Sequence, residues 1–153
     1  WQNGVALVYD LELAPAGAFE YTGEGWGLCF DGTRLVMSDG TSRLFFRDPK
    51  TFAVIGDVEA RRGGVPVARL NELECVGGFV YANVWQTDEI VRIDPATGAV
   101  MGWIHLTGLL QPADQAGADV DVLNGIALNE STGQLYVTGK LWPVIYEIEL
   151  VGP

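Results

Sequence analysis

The stretch Asp48-Pro49-Lys50-Thr51-Phe52-Ala53-Val54-Ile55-Gly56 returns further along the chain as Asp94-Pro95-Ala96-Thr97-Gly98-Ala99-Val100-Met101-Gly102. Self-similarity at a spacing of roughly forty to fifty residues marks repeated supersecondary units. Asp-Pro-x-Thr is turn chemistry. Proline presets φ for the second turn position and the aspartate bonds to backbone groups further on, so each copy is expected to join two strands. A degenerate copy begins at Asp10.

Upstream of each turn the segments align as well. Trp26-Gly27-Leu28, Asn71-Glu72-Leu73 and Asn124-Gly125-Ile126 each open a short strand, and a glycine-containing turn follows at Asp31-Gly32, Gly77-Gly78 and Ser131-Thr132-Gly133. A second and a third strand come next, and a fourth follows the Asp-Pro turn in the first two copies. Strands are expected near 4–10, 17–22, 26–30, 35–39, 43–47, 53–59, 71–76, 79–85, 89–93, 100–106, 123–128, 134–139 and 144–150. Four short strands per unit is the pattern of propeller blades. The reading is an all-β chain, a single partial β-propeller domain over 1–153, with outer strands of a preceding blade in 1–23 and blades at 24–60, 70–106 and 122–151. Propellers close with about four to eight blades. Three blades and a fragment would need an oligomer, a second chain or further N-terminal sequence to complete the ring. The chain opens on Trp1 inside a strand-like stretch, as a processed or truncated product would.

Two longer connections, Arg61 to Arg69 and Thr107 to Asp121, each lead into the first strand of a unit, where loops shape a pocket; Leu109 to Asp114 is read as a helical turn. The 153 residues are 48% apolar, enough for a packed core, and carry a net charge of −11. That excess of acid disfavours nucleic acid and anionic membranes and favours neutral or cationic partners. No apolar run approaches the roughly eighteen residues of a membrane span, so no membrane partner is expected. The two cysteines, Cys29 and Cys75, match no redox or zinc spacing and are read as buried thiols, a single disulfide being the alternative.

Chemistry-bearing residues are few. The lone histidine, His105, lies in the apolar run Trp103-Ile104-His105-Leu106, which gives no basis for a Ser-His-Asp triad or a histidine-rich metal site. Asp114, Asp119 and Asp121 lack EF-hand spacing and read as a solvated loop. Lys140 follows a strand of apolar and small residues; it is either an exposed strand-end charge or a donor projecting into a partly desolvated cavity. Repeat alignment sets Trp26, Asn71 and Asn124 level with one another, and likewise Gly40, Trp85 and Lys140. Two indoles, an amide and an ammonium at one end of a ring would suit an uncharged amide or a peptide end.

Gly25-Trp26-Gly27-Leu28, Ser38-Asp39-Gly40-Thr41, Leu70-Asn71-Glu72-Leu73-Glu74, Tyr81-Ala82-Asn83-Val84-Trp85-Gln86-Thr87-Asp88, Asp121-Val122-Leu123-Asn124-Gly125-Ile126-Ala127 and Thr138-Gly139-Lys140-Leu141-Trp142-Pro143 resemble, in order, the glutaminyl cyclase family of plant and bacterial type. The resemblance implies a five-bladed propeller, its N-terminal blades absent here. The implied enzyme is a glutaminyl-peptide cyclotransferase, an acyltransferase that converts N-terminal glutamine of peptides to pyroglutamate and releases ammonia, with no cofactor and no catalytic metal. It carries substrate-binding roles to Trp1, Trp26 and Trp85 and catalytic roles to Asn71 and Lys140. The family also uses a glutamate upstream of the position matching Trp1, a role not transferred to Glu24, which belongs to a later blade. Cys75, where an aromatic is common, and Val144, where a lysine is common, are departures. Family members are often exported, so a periplasmic or secreted location is an expectation of the resemblance alone. The alternative is a non-catalytic propeller module that binds a peptide end or assembles with another chain.

Overall fold

A computed structural model describes residues 1–115 and 117–152. The described chain is all β, with fifteen strands in five antiparallel sheets. Strands β1 (Val5–Tyr9) and β2 (Pro15–Glu20) form a hairpin. A four-stranded meander follows, β3 (Gly27–Phe30), β4 (Leu35–Ser38), β5 (Arg43–Arg47) and β6 (Val54–Glu59). The next elements, β7 (Arg61–Arg62) and β8 (Val65–Pro66), make a small hairpin that the sequence pattern did not signal, its strands being too short for any periodicity. A second meander holds β9 (Leu70–Val76), β10 (Phe79–Val84), β11 (Glu89–Ile93) and β12 (Val100–His105). The last sheet has three strands, β13 (Leu123–Asn129), β14 (Gln134–Gly139) and β15 (Tyr146–Ile148). A fourth strand therefore appears only where an Asp-Pro turn sends the chain back. Leu109 to Asp114, expected as a helical turn, forms turns without a helix.

The aspartate turns act through their side chains. Asp48 Oδ1 accepts the amide N–H of Lys50 and of Thr51 at 2.9 and 2.8 Å, closing the link between β5 and β6. Asp94 Oδ1 accepts Ala96 N–H at 2.9 Å between β11 and β12. Asp10 does the same for Glu12 and Ala14 between β1 and β2, without the proline.

The three larger sheets pack face to face in chain order. Val80, Ala82 and Val84 of β10 join Val36, Leu44 and Phe46 in one core. Tyr81 of the same strand joins Leu123, Ile126, Leu135 and Val137 in a second. Because successive side chains of a strand point to opposite faces, β10 can be apolar along nearly its whole length: both its faces are covered. On β3 only Cys29 faces the core, while Leu28 and Phe30 on the outer face are 48% and 53% exposed.

Cys29 and Cys75 are joined in a disulfide, which corrects the expectation of two thiols. Each is second from the end of its strand and pairs with the second residue of the next, Cys29 with Val36 and Cys75 with Val80, so the two are structural equivalents on the facing strands β3 and β9. That equivalence brings their Cα atoms to 5.6 Å, within disulfide reach.

Candidate functional site

At one end of the sheets a cavity of about 500 Å³ is lined by Trp1, Trp26, Asn71, Trp85 and Lys140, the five residues singled out by resemblance, together with Gln86, Asn124 and the Asp121-Val122 segment. Each element delivers its side chain for a local reason. Trp26 sits just ahead of β3, its N–H bonded to Ser38 O at 3.0 Å. Its ring lies over Gly40, where an added Cβ would stand 2.7 Å from the indole. Gly27 performs a similar service for the inner strands, because a Cβ there would fall 2.1 Å from the Asn71 carbonyl oxygen. The close approach leaves Asn71 buried on β9, with its carbonyl accepting the Ser38 hydroxyl at 2.5 Å.

Trp85 follows β10, and its ring meets that of Trp26 edge to face, with centroids 5.3 Å apart and planes at 81°. Such a pair favours the edge-to-face arrangement because a ring edge is positive and a ring face negative. Lys140 follows β14 and is tied on both sides of its peptide: its N–H donates to Val122 O, and Asp121 N–H donates to its carbonyl, each at 2.9 Å. It is exposed and also lines the cavity, so it combines features of the two readings left open by the sequence.

Non-glycine residues in the left-handed region stand beside the cavity: Arg69, Gln86 and Leu141, with φ of 65°, 63° and 62°. Such strain collects at functional sites when surrounding structure over-determines it. Gly40, Gln86 and Leu141 each lie two residues beyond the second strand of their sheet. By this measure Asp39, and not Gly40, is level with Trp85 and Lys140, a shift of one residue from the sequence alignment.

Behind the cavity the inner strands β9 and β13 are laced by carboxylates. Glu72 Oε2 accepts Ile126 N–H at 2.8 Å and Glu74 Oε1 accepts Leu128 N–H at 2.9 Å. Asn83 Oδ1 accepts Gly125 N–H at 3.0 Å. These side chains satisfy backbone donors that two strands in different sheets cannot satisfy for each other. Burial, reinforced by the nearby Glu74 charge, pushes the Glu72 carboxyl up to about 7 despite the bond from Ile126.

The remaining candidates lie elsewhere. His105 is exposed on the edge strand β12, with Nδ1 3.1 Å from Glu89 Oε1. Asp114 accepts the Tyr146 hydroxyl at 2.6 Å. Asn124 and Gln86 line the cavity without having been chosen from the sequence; for Asn124, its level position with Trp26 and Asn71 was the available signal. A further cavity of about 400 Å³, lined by Arg62, Arg69 and Trp103 among others, lies beside the β7–β8 hairpin.

A family model described as glutamine cyclotransferase matches residues 1–150. A glutaminyl-peptide cyclotransferase of Arabidopsis thaliana is 44% identical over 153 residues, covering 98% of this chain and 48% of that protein. The crystal structure of Myxococcus xanthus glutaminyl cyclase superimposes with a TM-score of 0.90 at 39% identity, covering 97% of this chain and 65% of that one. A Bacteroides caccae protein of unknown function, at 16% identity and a TM-score of 0.53 over 88% of this chain and 46% of that one, shares the fold alone. The chain thus spans about half the length of the curated relative it matches. Because the family model runs through the turns, the inner strands and every aromatic wall of the cavity, the chain belongs to the glutamine cyclotransferase family.

Proposed function

We propose that the cavity is the greater part of a glutaminyl-peptide cyclotransferase site, which takes peptides with N-terminal glutamine and returns pyroglutamyl peptides and ammonia. The observation that carries this reading is the gathering of Trp26, Asn71, Trp85 and Lys140 around one hollow from three separate sheets. The fold of the whole protein is a five-bladed propeller in this reading. The chain is one partial propeller domain over 1–153, with blades at 24–60, 70–106 and 122–151 and the outer part of another at 1–23. Its repeated meanders, packed in chain order, and the superposition on the bacterial glutaminyl cyclase support that arrangement. The ring is completed by sequence outside this chain or by another chain.

In the reaction the α-amine of the substrate attacks its own γ-carboxamide carbon. A C–N bond forms, the carboxamide oxygen becomes an oxyanion, and the amide C–N bond then breaks to release ammonia, which carries away a proton taken from the amine. An α-amine of reference pKa roughly 7.7 to 8.0 is partly neutral near pH 8 and able to attack. Both reacting groups belong to one molecule, so the site's main work is to hold the folded-back conformer and stabilise the oxyanion. Trp1, Trp26 and Trp85 wall the substrate. Asn71 and Lys140 donate to the carboxamide oxygen, and the upstream glutamate of the family accepts the amine proton. The names of the two enzyme relatives favour catalysis over a module that only binds a peptide end.

Ammonia release from a glutaminyl peptide tests the reading. In an enzyme that also carries the upstream glutamate, Asn71→Ala and Lys140→Ala should each lower turnover by a factor of order 10², while rates within about threefold of the parent would reject these roles.

A further inference from the structure

Two of the three tryptophans that line the cavity, Trp1 and Trp26, share one acceptor. Glu24 Oε2 accepts the indole N–H of Trp1 at 3.0 Å and that of Trp26 at 2.8 Å. Glu24 Oε1 accepts the Gln2 side-chain amide at 3.4 Å. Trp1 is held to the same segment through its carbonyl, which accepts Gly25 N–H at 3.3 Å and the Tyr21 hydroxyl at 3.4 Å. Glu24 is not part of the cavity wall, although its neighbours Gly25 and Trp26 are.

An indole N–H is a donor only, so the acceptor it finds fixes where that edge of the ring points. A carboxylate oxygen has two lone pairs and no proton, so one oxygen can receive two donors at once. Hydrogen bonds to an ionised acceptor are about twice as strong as neutral ones. The Trp26 bond, the largest influence, holds the Glu24 carboxyl below the usual carboxylate range and keeps it in the form that accepts both.

We infer that Glu24 is a positioning residue of the site: its carboxylate clamps the N–H edges of Trp1 and Trp26 outside the cavity, so that the apolar parts of both rings are presented to the substrate's glutaminyl side chain. This rests on reading the cavity as the peptide site. A carboxylate suits the place because both its oxygens accept, Oε2 from the two indoles and Oε1 from the Gln2 amide, and its charge strengthens each bond; an amide keeps an accepting oxygen without the charge, and an apolar side chain releases both rings.

The test reads the clamp and the ligand separately. The five tryptophans give five indole N–H signals in a proton–nitrogen correlation spectrum, assigned by single Trp→Phe variants. In Glu24→Ala the Trp1 and Trp26 signals should move upfield together, with the Trp103 and Trp142 signals unchanged. Glu24→Gln, which keeps the shape and one acceptor oxygen, should give an intermediate spectrum. Affinity for a pyroglutamyl-alanine probe should fall about tenfold in Glu24→Ala and less in Glu24→Gln. Unmoved Trp1 and Trp26 signals in a folded Glu24→Ala chain overturn the clamp. Signals that move while the probe binds as tightly as before overturn the positioning role. A probe that leaves Trp26 and Trp85 of the unmodified chain undisturbed counts against the peptide-site reading, and the clamp is then judged on the indole signals alone.

Discussion

The missing methyl at Gly40 decides where Trp26 lies. Its φ of 85° is in the left-handed region, and a side chain there would meet the indole at 2.7 to 2.9 Å. Gly40→Ala should therefore combine backbone strain with a forced shift of the ring, lowering stability by about 3 kcal/mol. Urea unfolding measures the loss, and the disturbed Trp26–Trp85 pair should alter near-ultraviolet circular dichroism. Glu72 makes the opposite kind of case, a side chain whose burial carries a pH-dependent cost. Its carboxyl is raised from 4.5 to about 7, so the folded state binds its proton more tightly than the unfolded state. The contribution is fully present below pH 4.5 and is lost as pH rises through 7, a swing of about 3 kcal/mol by proton linkage. Glu72→Gln retains an oxygen for Ile126 N–H and should remove that part of the pH dependence. Urea midpoints at pH 5 and pH 8 should separate in the parent and draw together in the variant.

At the scale of strands and turns, the sequence was read most readily where chemistry repeats. The aspartate turns at Asp48 and Asp94 announce themselves by proline and threonine, and even Asp10, lacking both, builds the same side-chain cap. Each of the thirteen expected strands has a counterpart, the last shortened to Tyr146–Ile148, and many of their apolar runs are bounded by glycine or aspartate. The β7–β8 hairpin escaped notice since two-residue strands carry no period. Repeat spacing brought Trp26, Asn71, Trp85 and Lys140 to one end of the sheets, while Trp1 and the role of each residue came only from family resemblance; spacing could not say which way the side chains faced, and it misaligned Gly40 by one residue. Backbone conformation resolves that, since Gly40, Gln86 and Leu141 share one left-handed turn position. Leu141 is 72% exposed and gains little packing in exchange for its φ of 62°. Leu141→Gly should accordingly raise stability by about 1 kcal/mol, seen as a higher urea midpoint.

Across the whole molecule, two features govern how the sheets stay together. The first is apolar surface left open at the first sheet and its preceding hairpin, where Leu7, Leu11, Leu28 and Phe30 are between 48% and 98% exposed. Apolar side chains left open in this number favour association where they adjoin, and sedimentation velocity should find the chain self-associating as concentration rises; a monomer at all concentrations would contradict this. The second is the Cys29–Cys75 bond, which closes a loop of 46 residues between facing inner strands. In the chain-entropy account such a loop is worth about 4 kcal/mol, so Cys29→Ser with Cys75→Ser should lower stability by about that much, measured against the parent without reductant. The covalent loop also encloses the exposed Arg61-Arg62-Gly63-Gly64 tip, where trypsin would be expected to cut first. A chain nicked there would migrate as one species on a non-reducing gel and as two fragments once the bond is reduced, so limited digestion alone would reveal whether a given preparation has matured in an oxidising environment.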